Sequence, residues 1–247
     1  MLKLITIITK FIAVVLTALL LGSCNHSINF NSIEGSGNIT TQKRNISGSF
    51  TSIEVNNSIE VILEQGDKTE VVVETDDNLQ KHLTTTVENG TLVITLDEIS
   101  ISDASELKVT VKMPTIDELE ATSTASIESV NLIIGENVRL NTSSGGSINI
   151  EIESDMLTCD SSSGSDINVQ GKALKVKTSA SSGSEIKANE LLANEVIADV
   201  SSGASTSIHP IISLSAEASS GGSITYYNTP KRVQKNTSSG GSISRQE

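Results

Sequence analysis

The chain has 247 residues, enough for one large domain or two small ones with a sizeable core. Its 30 acidic side chains outnumber 17 basic ones, for a net charge of −13, and aromatic residues make up only 2%. This balance excludes nucleic-acid binding, which needs clustered Lys and Arg on phosphates and aromatic faces under bases.

Residues 1–23 read as an export signal. Lys3 and Lys10 precede the apolar run Phe11–Leu21, and small residues follow it. The run is short for a membrane span. Leu21-Gly22-Ser23-Cys24 resembles a bacterial lipobox, which implies lipidation of Cys24 and anchorage to a membrane without crossing it. Cys159 is then left without a disulfide partner, and its apolar register reads as a buried small hydrophobe. Residues 24–34 read as the lipidated cysteine and a polar tether, and residues 35–247 as the folded domain.

The front of that domain alternates apolar and polar residues. Strands are expected around Phe50–Val55, Ile59–Leu63, Glu70–Glu74, Leu83–Val87, Leu92–Leu96 and Leu107–Met113. Asn89-Gly90 predicts a tight hairpin turn, because both residues tolerate positive φ. Asp77–His82 is the one stretch that suggests a single turn of helix.

From about residue 121 the chain repeats itself. Six Ser-Ser-Gly glycines, Gly145, Gly164, Gly183, Gly203, Gly221 and Gly240, stand 19, 19, 20, 18 and 19 apart. Ser123-Thr124-Ala125 is an earlier imperfect copy. The positions seven, five and three before each glycine are mostly apolar or small. Ser always stands one before, and Ile usually stands three after. In the fourth copy Thr206 stands there, with Ile208 read as the displaced Ile. Positions two apart share one face of a strand. The columns therefore predict an inward face that ends in a ladder of stacked, mutually hydrogen-bonded serines. A repeat this short buries its face only by stacking on its neighbours. The predicted fold is all-β: a right-handed parallel β-helix, or solenoid, with coils of about 19 residues and a strand-rich front continuous with it.

No residue set carries catalytic chemistry. Gly-x-Ser-x-Gly is absent, and His209 is the only late histidine. Gly164-Ser165-Asp166-Ile167 is similar to a calcium-binding β-helix repeat, but the acid does not recur at its column. Glu128, Glu151, Glu153, Asp155, Asp166 and Glu185 suit a solvated outer face. No cofactor, metal or catalytic residue is therefore assigned. Lys235 and Arg245 enter inward columns only in the last copy, which reads as an end cap against edge pairing. Tyr226-Tyr227 reads as packing.

The ordered series Phe50–Val55, Val61–Gly66, Asp77-Asn78-Leu79, Asn89–Ile94 and Leu107–Pro114, followed by the Ser-Ser-Gly repeats, resembles the family described as "putative auto-transporter adhesin, head GIN domain" over nearly all of residues 35–247. The resemblance implies a β-helical, lipid-anchored envelope protein, exported to the outer membrane or cell surface, non-enzymatic and adhesive. It brings no catalytic motif. Expected partners are the membrane, through the anchor, and a host or envelope protein or glycan. A polysaccharide-lyase-type enzyme would instead need acids clustered on adjacent coils with long loops building a cleft. A structural scaffold would need open solenoid ends.

Overall fold

Apolar residues at every second position become strand in the computed structural model, which describes Lys10, residues 32–97 and residues 100–246. The signal, Cys24 and most of the tether lie outside the described residues. Ile33–Glu247 form one compact unit. Residues 32–97 and 100–246 contain no helix. The architecture is a β-solenoid of about seven coils.

The regular part begins with β10 (Glu118–Ala121) and β11 (Ser126–Ser129), followed by β12 (Ile133–Thr142) and β13 (Ser147–Ser161). It continues through β14 (Asp166–Ala180), β15 (Glu185–Val200) and β16 (Ser205–Ala218) to β17 (Ser223–Tyr227), β18 (Arg232–Thr237) and β19 (Ser242–Gln246). Each coil pairs in parallel with the next, and the pairing repeats the sequence period: Ser147 faces Asp166, Asp166 faces Glu185, Glu185 faces Ser205 and Ser205 faces Ser223. Like therefore stacks on like. Ile148, Ile167 and Ile186 form one buried column, and Val138, Leu157, Val176, Val196 and Leu214 form another.

The Ser-Gly pairs are the corners. Ser144, Ser163, Ser182, Ser202, Ser220 and Ser239 have φ between +47° and +56°, and the glycine after each is also at positive φ. Each turn closes with an i+3 to i bond, as from Gly146 N–H to Ser143 C=O at 2.9 Å, which is the type I′ pattern. The turns also bond to one another. Gly164 N–H reaches Ser182 C=O at 3.1 Å, and Gly183 N–H reaches Ser202 C=O at 3.1 Å.

This geometry corrects the expected serine ladder. Two left-handed residues in succession break the period of two, so the serine before each glycine points into solvent. The next inward position is the residue after the glycine. Ser165 and Ser184 are buried there, and their hydroxyls join Thr142 and Ser161 in an internal network. Ser165 Oγ donates to Thr142 Oγ1 at 2.9 Å, and Ser184 Oγ donates to Ser161 C=O at 2.8 Å. Hydroxyl stacking exists, two residues along from the expected column. Thr206 is also in register, opposite Ile186, and buried. The coil-length irregularity sits instead at two places, between Ala188 and Leu192, opposite Ile208 and His209, and between Ala193 and Glu195, opposite Pro210 and Ser213.

The front elements are β1 (Ser32–Glu34), β2 (Ile39–Lys43), β3 (Ser52–Val55), β4 (Glu60–Gln65), β5 (Glu70–Asp76), β6 (Leu83–Glu88), β7 (Thr91–Leu96), β8 (Ser100–Asp103) and β9 (Leu107–Met113). Their spatial order differs from their chain order. The β3–β4 coil lies between β7 and β9 on one side and β10 and β11 on the other. Antiparallel strands close this end: β6 on β7, β5 on β9, and β2 on β5. The β6–β7 hairpin turns at Asn89-Gly90, both at positive φ, as read from sequence. Asp77–His82 is a run of turns rather than a helix; Gln80 N–H to Asp76 C=O and Leu83 N–H to Leu79 C=O are its two helix-type bonds. The polar tether becomes strand at Ser32–Glu34, which pairs with β8.

Asp76 fastens this end. Its fully buried carboxylate accepts Gly37 N–H at 2.7 Å, Ser105 N–H at 2.8 Å and the Ser105 hydroxyl at 3.0 Å. Burial alone would raise its pKa, but these donors outweigh it and hold the group below its usual value. At the other end β18 and β19 pair on one side only, among the described residues, and their side chains are exposed apart from Ile243, which packs partly buried against the core. Lys235 lies over the Tyr226 ring, 4.5 Å from its centroid. Cys159 is completely buried in the Leu140 and Thr178 column, and burial pushes its thiol pKa up, so it is no nucleophile.

Two outcomes are expected from denaturant titration. Gly183→Val, at φ +72°, should lose about 1–2 kcal/mol, whereas Gly183→Asn should lose much less. The second concerns Asp76. A carboxylate with a lowered folded pKa stabilises the fold above its unfolded pKa, and that contribution fades as pH falls through the folded value. Wild-type stability should therefore drop below about pH 4. Asp76→Ala, which strands two backbone donors, should cost about 2–3 kcal/mol at neutral pH and show a flatter acid limb.

Candidate functional site

The inward–outward alternation slips by one residue at the same place in successive coils. In β13 the buried series Ile148, Ile150, Ile152, Ser154 resumes at Leu157, and in β14 the series ending at Ala173 resumes at Val176. Each slip is a bend in the coil. The last residue before the slip is small in four successive coils, Gly135, Ser154, Ala173 and Ala193, and buried Pro210 follows in the fifth. Small side chains at a stacked bend leave a furrow parallel to the solenoid axis.

That furrow is a groove of about 880 Å³, within the size range of ligand sites. It runs from Thr115–Asp117, the link between β9 and β10, across β12, β13, β14 and β15 to Ile211 of β16. Five coil-to-coil steps of about 4.8 Å make it about 24 Å long. Gly135, Ser154, Ala173 and the buried Ile116 form its floor. A Cβ on Gly135 would lie 2.7 Å from Val138 Cγ2, so the floor admits no larger residue there without a shift. Four large apolar side chains stand exposed on its rim: Ile134 at 62%, Leu174 at 55%, Leu192 at 41% and Ile211 at 36%. Half of the large exposed apolar side chains among the described residues therefore gather on one groove.

Charge divides along its length. Asp117, Glu136, Glu153 and Asp155 lie toward the β10 end, Lys172 in the middle, and Leu192 and Ile211 at the far end. None of these five charged groups is in an ion pair among the described residues. The Ser154 hydroxyl is buried and has no hydrogen-bond partner. Amide pairs hold the mouth rigid. Gln65 Nε2 donates to Ile134 C=O at 2.9 Å, and Gln65 Oε1 accepts Ile134 N–H at 2.7 Å. Asn131 pairs in the same way with the Gln65 backbone, at 3.0 and 2.9 Å.

Of the acids singled out in the sequence, Glu153 and Asp155 line the groove; Asp166 is exposed outside it, and Glu128 and Glu151 line a separate small hollow. His209 donates Nδ1–H to Asn189 C=O at 3.1 Å rather than to a serine hydroxyl. Among the described residues no three His, Cys, Asp or Glu side chains are placed to hold a metal ion. The apolar rim was legible as doublets that violate alternation, Ile133-Ile134, Leu191-Leu192 and Ile211-Ile212, in which one member must face outward.

A family model described as "Putative auto-transporter adhesin, head GIN domain" matches residues 49–230. No curated protein matches the chain. A "putative adhesin" from Bacteroides fragilis superposes with a TM-score of 0.81 at 19% identity, covering 87% of this chain and 100% of that one. A "putative lipid binding protein" from Parabacteroides distasonis superposes with a TM-score of 0.74 at 23% identity, covering 87% and 100%. A "putative adhesin" from Parabacteroides merdae gives 0.72 at 19% identity, covering 87% and 99%. At these identities the likeness establishes a shared solenoid fold.

Gln65→Ala should leave the Ile134 N–H and C=O without their side-chain partners. Native-state hydrogen exchange should show the Ile134 amide opening about tenfold faster, with global stability changed by about 1 kcal/mol or less.

Proposed function

Because the chain belongs to the family described as "putative auto-transporter adhesin, head GIN domain", we propose that it is a non-enzymatic adhesion protein of the bacterial cell envelope. In this reading Cys24 carries the lipid anchor, and the solenoid presents its corner groove to a host or envelope protein or glycan. The observation that carries the proposal is the exposed apolar rim on stacked strands, a surface that costs solubility unless something binds it. Rigid strands and short turns also suit binding better than substrate closure, since among the described residues no long loop folds over the groove.

One observation speaks for the lyase-type alternative: Glu136, Glu153 and Asp155 do meet on adjacent coils. The other requirement, long loops that deepen a cleft, has no counterpart in coils joined by four-residue turns. The name of the Parabacteroides distasonis neighbour adds a lipid reading for the same groove.

The test is binding of the purified full chain to an array of matrix proteins and glycans, with and without calcium. Saturable binding without turnover, weakened by Leu174→Asn together with Leu192→Asn, is the expected result. Release of unsaturated sugar products from any glycan would sink the adhesion reading. Cys24→Ser should move the protein from the membrane fraction to the soluble fraction; an unchanged distribution would remove the anchor from the proposal.

A further inference from the structure

The groove is polarised, and its polarity specifies a ligand. Its acids, Asp117, Glu136, Glu153 and Asp155, crowd the β10 half together with Ile134, the other three apolar rim residues line the far half, and Ser154, Asn137 and Asn194 are spread along it. We propose that it binds a short extended peptide segment that is cationic at one end and apolar at the other, lying along the solenoid axis. This assignment rests on the adhesion reading and names the chemistry of its partner.

Length comes first. A groove of about 24 Å accommodates about seven residues of extended chain at about 3.3 Å each. Charge comes next. Glu136, Glu153 and Asp155 project from neighbouring coils near the β10 end, exposed and without ion-pair partners among the described residues. Lys172 is the single cation against them and Asp117. This end attracts a cationic segment, and the protein's net charge of −13 steers such a segment toward it. From Leu174, on the same coil as Lys172, through Leu192 to Ile211 the far half of the groove is apolar and exposed, where apolar side chains of the same segment would cover it.

The polar groups separate a peptide from a lipid. The Ser154 hydroxyl in the floor is more than nine-tenths buried and unpartnered, and Asn137 on the adjacent coil and Asn194 two coils away also line the groove. A peptide backbone supplies donors and acceptors for such groups, as bound chains do for amides along a groove, whereas an alkyl chain supplies none. A phospholipid would also bring its phosphate to the acidic end, where like charges repel it.

The experiment measures fluorescence anisotropy of labelled heptapeptides with the purified full chain. The probes are KRKGLVL, its charge-reversed form EDEGLVL and its apolar-stripped form KRKGSSS, with phosphatidylcholine–phosphatidylglycerol vesicles as a separate arm. KRKGLVL is expected to bind saturably, and at least about tenfold more tightly than either control. Its affinity should fall with rising salt. Glu153→Lys with Asp155→Lys should weaken it about tenfold and flatten the salt dependence. Leu174→Asn with Leu192→Asn should weaken it about tenfold and leave the salt dependence in place. All four positions are exposed, so thermal melting should stay unchanged and separate lost binding from lost folding. Equal binding of EDEGLVL, or KRKGLVL binding unaffected by both double variants, overturns the assignment. Vesicle binding lost in the leucine variant, with no peptide binding, gives the groove to lipid and also overturns it. A protein or glycan found on the array whose binding survives both double variants would leave adhesion standing and remove this groove from it.

Discussion

Every layer of this protein depends on the register of one turn. The Ser-Gly corner places two successive residues in the left-handed region, and the next coil repeats that corner about 19 residues later. Backbone bonds then run from Gly164, Gly183, Gly203 and Gly221 N–H to the serine carbonyl of the adjacent coil. Once the corners align, the strands on either side can pair only in phase. In-phase pairing stacks Ile on Ile and Val on Leu across the whole core. A slip of one residue would turn each apolar column into solvent, so register and burial enforce each other.

The same stacking makes the groove. One small residue at a bend is an ordinary packing detail. Repeated at Gly135, Ser154, Ala173 and Ala193, it becomes a furrow several coils long. The residues that flank each bend are freed from alternation, and they carry the apolar and acidic groups of the rim. Periodicity thus converts a local irregularity into a surface long enough to bind a chain. The internal hydroxyls of Thr142, Ser161, Ser165 and Ser184 show the complementary case, in which polar groups stacked inside the core satisfy each other.

Much of this was written in the sequence because burial repeats visibly. The columns before each glycine, the hairpin at Asn89-Gly90 and the lone buried Cys159 all follow from alternation and turn chemistry. The serine column was misplaced because alternation was carried through a turn that breaks it, and two positive-φ residues give no signal in hydrophobicity. The position of Thr206 was misread for a related reason: the coil absorbs its irregularity between Ala188 and Glu195, away from the turn. The front order of strands was illegible, since each strand there is too short to name its neighbour. The acids Glu153 and Asp155 were visible as exposed residues. Their meeting with Ile134 and Leu174 depends on coil stacking and bend position together, which no single stretch of sequence encodes.

The interleaved front end has a mechanical consequence. Tension applied at the N-terminus first meets β1, held by β8, and then β2, held by β5, and each can peel away from its one partner. The next segment, β3 and β4, is hydrogen-bonded on both sides, to β7 and β9 and to β10 and β11. It cannot be drawn out one bond at a time, because both ladders must shear together. The opposite end has no such lock, and β18 and β19 can unzip from a single neighbour. A pull on the N-terminus is therefore resisted by a strand pair threaded through the stack, and the molecule yields more readily from its far end.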